Sequence, residues 1–358
     1  MKKTIKKIRN KWHNDLKEIL ESQNRELQEK NHEMLGNQDK IIHDLYEILG
    51  NQNKIIHDLQ EANANLYANQ AWLLFQRHNI DYVIKNKTWY AEYSDYNEFL
   101  SDNTIKEFQN IQHSLLGDNT PPYIKAYCAV CNKLSIMSSN HSEGFDSEAY
   151  LCCGMNSRMR AMYEYIFYLF EFKKNKKVYI QEFITPAYYA YEKYFGTDNI
   201  IGSEYLGQDK ICGEYYEHNG HRIMHQDCTK LSFKDNTFDL LISQHVFEHV
   251  FDIETALSES LRVLKYDGRC VISIPFYITS ENSVLLAKQE GEEIIQIIDP
   301  PEIHGNPISG TGSLAFWHHG WEFIKILKKV GYRDVKVHFF NNLYKGYLGL
   351  CSIISGKK

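Results

Sequence analysis

The sequence predicts an α/β fold with a mostly parallel sheet, preceded by a small Cys-rich module and an N-terminal α-helical coiled coil. Three observations carry that prediction. Residues Leu231 to Phe276 read strand, loop, helix, turn and strand in close succession, which implies a parallel pair joined by a crossover. Upstream, Glu182, Glu204 and Asp227 close successive short apolar runs at a spacing of a little over twenty residues. Near the start, the segment Gly36–Leu45 recurs as Gly50–Leu59, an offset of 14 residues or two heptads.

The composition is compatible with this. The chain has 358 residues, 43% hydrophobic and 24% charged, enough for one full α/β core and smaller modules. A net charge of −6 gives no overall basic footprint for nucleic acid. No apolar run approaches the roughly 20 residues of a membrane span, and the N-terminus lacks the apolar core of a secretory signal. The 8 Cys suit thiols and metal ligands in a reducing, cytoplasmic setting better than a disulfide framework.

Residues 1–70 form one long helical pattern. Leu35, Ile42, Leu49 and Ile56 share one seam position, and Leu45, Leu59 and Leu66 the other, as in a left-handed coiled coil. Gln38 and Gln52 interrupt the seam, so a solvated single helix is the alternative. The coil would serve homo-oligomerisation or docking. The basic amphipathic start, Lys2 to Trp12, suits either an anionic membrane surface or water. Residues 71–120 read as an aromatic helical connector packed against the domain that follows, closed by Asp118-Asn-Thr-Pro-Pro122.

Residues 121–169 hold Cys128-Ala-Val-Cys131 and the adjacent pair Cys152-Cys153. Two thiolate pairs at this separation are expected to hold a structural zinc ion. Adjacent cysteines diverge, so both reach one ion only on a bent backbone; His141 is an alternative fourth ligand. The competing reading is a reduced cluster of buried small side chains. Arg158 and Arg160 open a helix running to about Phe172, suited either to an anionic substrate or to balancing thiolate charge.

Residues 170–358 make the α/β domain. The strand from Val178 leads into Glu182-Phe-Ile-Thr185-Pro186. A second strand ends at Glu204-Tyr205, and a third at Asp227-Cys228. Phe238–Ser243 is the next strand, followed by Gln244-His245-Val246-Phe247-Glu248-His249 at its carboxyl end, where open α/β sheets bind ligands. A helix from Ile253 to Leu264, a turn at Asp267-Gly268 and a strand from Cys270 to Pro275 complete the unit. The insertion from Tyr277 to Phe316 should form a lid carrying His304. Trp317-His318-His319 could line a sugar or aromatic pocket, and with no carboxylate at ligand spacing no metal is expected there. Trp321–Val330 is a helix, and Val335–Phe340 and Leu348–Ser355 close the sheet.

Phe238-Asp239, Ser243, Val246, Glu248-His249, Arg262-Val263-Leu264-Lys265, Asp267-Gly268 and Pro275 resemble the signature of class I S-adenosylmethionine-dependent methyltransferases. The resemblance implies a Rossmann-like domain with a mostly parallel seven-stranded sheet and S-adenosylmethionine as cofactor. Cys128, Cys131, Cys153, Gly154, Asn156, Ser157, Arg158, Arg160 and Ala161, with Glu182, Thr185, Pro186, Tyr188, the His304-Gly-Asn-Pro307 run and Gly320-Trp321, resemble a glycan-locus subfamily with a Cys-rich knob. Tyr150 stands where that pattern has its third Cys, and Ile184, Pro186 and Tyr188 replace the usual loop glycines. What the family implies is a cofactor site of Glu182, Thr185, Pro186, Glu204, Tyr205, Asp227, Cys228, Gln244 and His245. Glu204 would accept from the ribose hydroxyls and Asp227 from the adenine amino group. His304 or His245 is the expected base toward an O or N of a glycan or glycan precursor. A nucleic-acid methyltransferase and a non-catalytic scaffold on a degenerate fold are the alternatives.

Overall fold

A computed structural model describes residues 91–107, 109–110, 123–138, 152–170, 175–291, 293–306, 308–342 and 345–358. The coiled coil, the basic N-terminus, His141 and Tyr150 lie outside the described residues.

The seven-stranded sheet begins from apolar runs that are covered on both faces. Strands β4 (Val178–Ile180), β5 (Ile200–Gly202), β8 (Phe238–Gln244) and β9 (Leu264–Ser273) run parallel. Their side chains alternate between two cores. Tyr179, Phe238 and Leu241 face one; Val178, Ile180, Leu240 and Ile242 face the other. Burial on both faces explains why these strands read as continuous apolar runs. Helices α4 (Ile253–Val263) and α5 (Glu322–Val330) cover the first face, and α2 (Ser157–Phe170) and α3 (Pro186–Phe195) the second.

The sheet order is β1 (Ala91–Tyr93), β16 (Arg333–Asn342), β17 (Tyr347–Lys357), β9, β8, β4 and β5. β17 pairs antiparallel with β9, and β16 pairs antiparallel with β17. β1 (Ala91–Tyr93) then pairs antiparallel with β16. A strand at 91–93 departs from the expected helical connector. Its cause is long-range pairing, with Tyr93, and Phe99 of the short helix α1 (Tyr96–Ser101), packing on Trp321. Tyr93 and Phe339 also pack together.

The expected third parallel strand is reduced to a single bridge, Glu204 to His225. The residues before it are diverted into a hairpin of β6 (Tyr215–His218) and β7 (His221–Met224). The Asp267-Gly268 turn lies inside β9 as an irregularity opposite Phe238–Leu240, with Asp267 at φ 59°. A second hairpin, β2 (Tyr123–Cys128) with β3 (Lys133–Ser138), carries the first two cysteines. Short antiparallel pairs build the lid: β10 (Val284–Leu285) with β15 (Trp317–His318), β11 (Ala287–Glu290) with β12 (Glu293–Gln296), and β13 (Ile303–His304) with β14 (Ser313–Leu314). Among the described residues no helix is long and apolar enough to cross a membrane.

Candidate active site

The parallel strands end side by side, and the polar residues that follow them converge. Gln244 Nε2 donates to Glu182 Oε1 at 2.5 Å, linking the ends of β8 and β4. Glu204, after β5, accepts from the Phe183 and Ile184 N–H groups at 2.7 and 3.4 Å. Burial raises both carboxyls to about 7, because desolvation penalises the charged form. A carboxylate offers about four acceptor positions, so Glu204 retains capacity for ribose hydroxyls.

The missing loop glycines have a structural explanation. Thr185 caps α3 by accepting from Tyr188 N–H at 3.1 Å, and Pro186 takes the first helical position. Tyr188 then lies over Gly202 of β5. A Cβ at Gly202 would sit 2.6 Å from both the Glu182 carbonyl oxygen and Tyr188 Cε2. The absence of a Cβ at Gly202 lets the backbone after β4 and the Tyr188 ring pack directly on the neighbouring strand.

Other expected residues are placed less directly. Asp227 Oδ1 accepts from Thr229 N–H and Oγ1 at 2.9 and 2.7 Å, so much of its capacity holds its own turn. Burial pushes the Cys228 thiol up to about 12, which makes it a packing residue. Tyr205 is 51% exposed at the rim, with His225 5.5 Å from its ring. The Gln181 amide, Ser243 Oγ and Gln244 Oε1 are buried with no hydrogen-bond partner among the described residues. Unsatisfied polar atoms at the strand ends are costly without a ligand. Together with Glu204 they fit the polar half of an adenosyl cofactor.

His245 follows β8 in the left-handed region, φ 53°, a conformation uncommon outside glycine and seen at functional positions. Its Nδ1 is 3.0 Å from Glu248 Oε1. His249 Nε2 and His304 Nδ1 approach the same oxygen at 3.8 and 4.0 Å. The two candidate bases, His245 and His304, therefore meet at one carboxylate. Glu302 accepts from His304 Nε2 and His318 Nε2 at 2.8 and 2.7 Å. This corrects the expectation that no carboxylate reaches His318. The lid pairing brings Glu302 there, and no local spacing in the sequence signals it.

The four cysteines come together. Their sulfurs all lie within 4.8 Å of one another, with Cys128 and Cys153 at 3.7 Å. Ligands about 2.3 Å from a tetrahedral zinc stand roughly 3.7 Å apart, so this donor set fits the ion. The required bend is supplied by Gly154, at φ 68°. Cys128 is held down to about 5 by hydrogen bonding from Cys153. Arg160 is buried, donates to the Lys345 carbonyl at 2.8 Å and lies over the Tyr347 ring. It is inaccessible to a substrate.

Residues 189–272 match the family model for a methyltransferase domain. A demethylmenaquinone methyltransferase of Bacteroides fragilis is 36% identical over 81 residues, 23% of this chain and 33% of that protein. A ubiquinone/menaquinone biosynthesis C-methyltransferase of Geobacter sulfurreducens is 40% identical over 78 residues, 22% of this chain and 30% of that protein. The chain thus spans about a third of the length of these curated relatives. Among solved structures, an S-adenosylmethionine-dependent methyltransferase from Archaeoglobus fulgidus aligns at 19% identity and a TM-score of 0.35, covering 57% of this chain and 95% of that one. The matched segment runs from the first crossover helix, α3, to the fourth parallel strand, β9, so this stretch of the chain is similar to a methyltransferase domain.

Proposed function

We propose that this protein transfers a methyl group from S-adenosylmethionine to an oxygen or nitrogen of a glycan or glycan precursor. The observation that carries the reading is Glu204 at a parallel strand end, joined to the Glu182–Gln244 pair by the Phe183–Ile184 backbone. The cofactor supplies a sulfonium-bound methyl group. Glu204 orients it through the ribose, with Thr185, Pro186 and Tyr205 shaping the rim and Asp227 and Cys228 the adenine side. Proton removal from the acceptor falls to His304 or His245. The remaining acceleration comes from alignment and exclusion of water under the lid.

A polar, hydroxylated acceptor is supported by the lid's composition. Tyr277 and His318 stack at 4.4 Å between ring centroids, an aromatic face beside the Glu302 carboxylate. In the same reading, Cys128, Cys131, Cys152 and Cys153 bind structural zinc, and residues 1–70 join copies of the chain. The test is transfer of labelled methyl from the cofactor to a panel of sugars and nucleotide sugars, with quinols alongside. Label in a sugar supports the reading. Label confined to quinols overturns the acceptor class.

A further inference from the structure

We propose that Glu248, His249 and His304 form a binding site for one first-row divalent cation, separate from the cysteine cluster and placed over the acceptor end of the site. One ligand atom from each lies within 4.8 Å of the others. The spans from Glu248 Oε1 to His249 Nε2 and His304 Nδ1 are 3.8 and 4.0 Å. An ion about 2.0–2.2 Å from each atom bridges such spans.

Two further observations point to a ligand. The Glu248 side chain is 0% exposed, and neither of its oxygens has a hydrogen bond among the described residues. Arg158 and His319 bear on its charge without hydrogen-bonding it, and a buried carboxylate with no bonded cation is expensive. His245 Nδ1 also stands 3.0 Å from Oε1. In addition, both imidazoles are held from behind. His249 Nδ1 faces the Leu314 carbonyl at 2.8 Å, and a carbonyl only accepts. The proton therefore lies on Nδ1 and the Nε2 lone pair points toward Glu248. His304 Nε2 faces Glu302 Oε1 at 2.8 Å, leaving Nδ1 toward Glu248. A carboxylate or backbone carbonyl behind each metal-bound histidine is the usual supporting arrangement.

Two histidines and one carboxylate leave coordination positions open, as in sites that take a water or substrate oxygen. His249 and His304 keep 17% and 26% of their side-chain surface exposed, so the open side reaches the cleft. The occupant of the open position would be an acceptor oxygen. The role at the acceptor rests on the methyltransferase reading; ion binding does not.

The experiment is Mn2+ titration of the full chain followed by electron paramagnetic resonance, because Mn2+ favours N/O donors over the thiolates of the other cluster. The unaltered protein and Cys131→Ser should each bind one equivalent. His304→Ala, on the partly exposed lid, and Glu248→Gln should bind at least about tenfold more weakly. Thermal unfolding of His304→Ala verifies that the domain is intact. Absence of stoichiometric binding, or equal binding by His304→Ala, overturns the site. If Mn2+ binds but S-adenosylmethionine does not, the ion site stands and the enzyme reading falls.

Discussion

Replacing Gly202 by alanine tests the account of the glycine-poor loop. The added Cβ would lie 2.6 Å from the Glu182 carbonyl oxygen and 2.6 and 2.8 Å from Tyr188 Cε2 and Cδ2. Neither neighbour can yield cheaply. The oxygen belongs to the backbone leaving β4, and Tyr188 is 5% exposed in the core beneath α3. Relief to ordinary contact requires a shift of roughly 0.8 Å, and overpacking of this kind costs about 1–3 kcal/mol. At about 2 kcal/mol, the melting temperature should fall by roughly 4–8 °C. The same shift pulls the Phe183 and Ile184 N–H groups from Glu204, so cofactor affinity should drop about tenfold, or 1.4 kcal/mol. Gly310→Ala is the control, since a Cβ there meets nothing within 4 Å, and it should change stability by less than about 0.5 kcal/mol. Scanning calorimetry and cofactor titration read both effects. A Gly202→Ala protein as stable as the control would refute the reasoning.

Three further outcomes follow from the geometry. Glu182 is raised by burial from 4.5 to about 7, so its contribution is present in full below the unfolded value and is lost as pH rises through the folded one. Glu182→Gln should therefore be more stable than the unaltered protein at pH 8, by up to about 3 kcal/mol, and lose that advantage by pH 4. Urea unfolding at the two pH values measures it, and an equal difference at both would contradict the assignment. Purified without chelator, the protein should carry close to one zinc per chain, and Cys131→Ser less than about half; atomic absorption decides. Arg262 donates to the Leu231 and Phe233 carbonyls and to Asp235 and Glu259 at 2.7–2.9 Å. Arg262→Lys loses that planar fork and should cost about 1–2 kcal/mol, with cofactor affinity unchanged.

Much of the domain was legible because its signals are local. β8 is one apolar run, α4 is capped by Asp252 accepting from Thr255, and α5 ends at Gly331 in the left-handed region. The same Arg262-Val263-Leu264 run that supports the family resemblance is explained physically by the carbonyls it ties down. What was not legible depends on pairing between distant segments. β1 becomes a strand only because β16 offers an edge. The third parallel strand shrinks because β7 pairs with β6. Glu302 reaches His304 and His318 only once the lid folds, and the Glu248 hub forms from three elements. Asp227 shows the opposite error, in which an acid at a suggestive position also holds its own turn.

The central claim is that the strand ends form an adenosyl cofactor site organised by Glu204. Isothermal calorimetry with S-adenosylmethionine tests it most directly, on the unaltered chain and on Glu204→Ala at equal concentration. The account predicts saturable one-to-one binding to the former and its loss in the latter. No heat of binding to the unaltered protein at millimolar cofactor would contradict it, as would undiminished binding to Glu204→Ala.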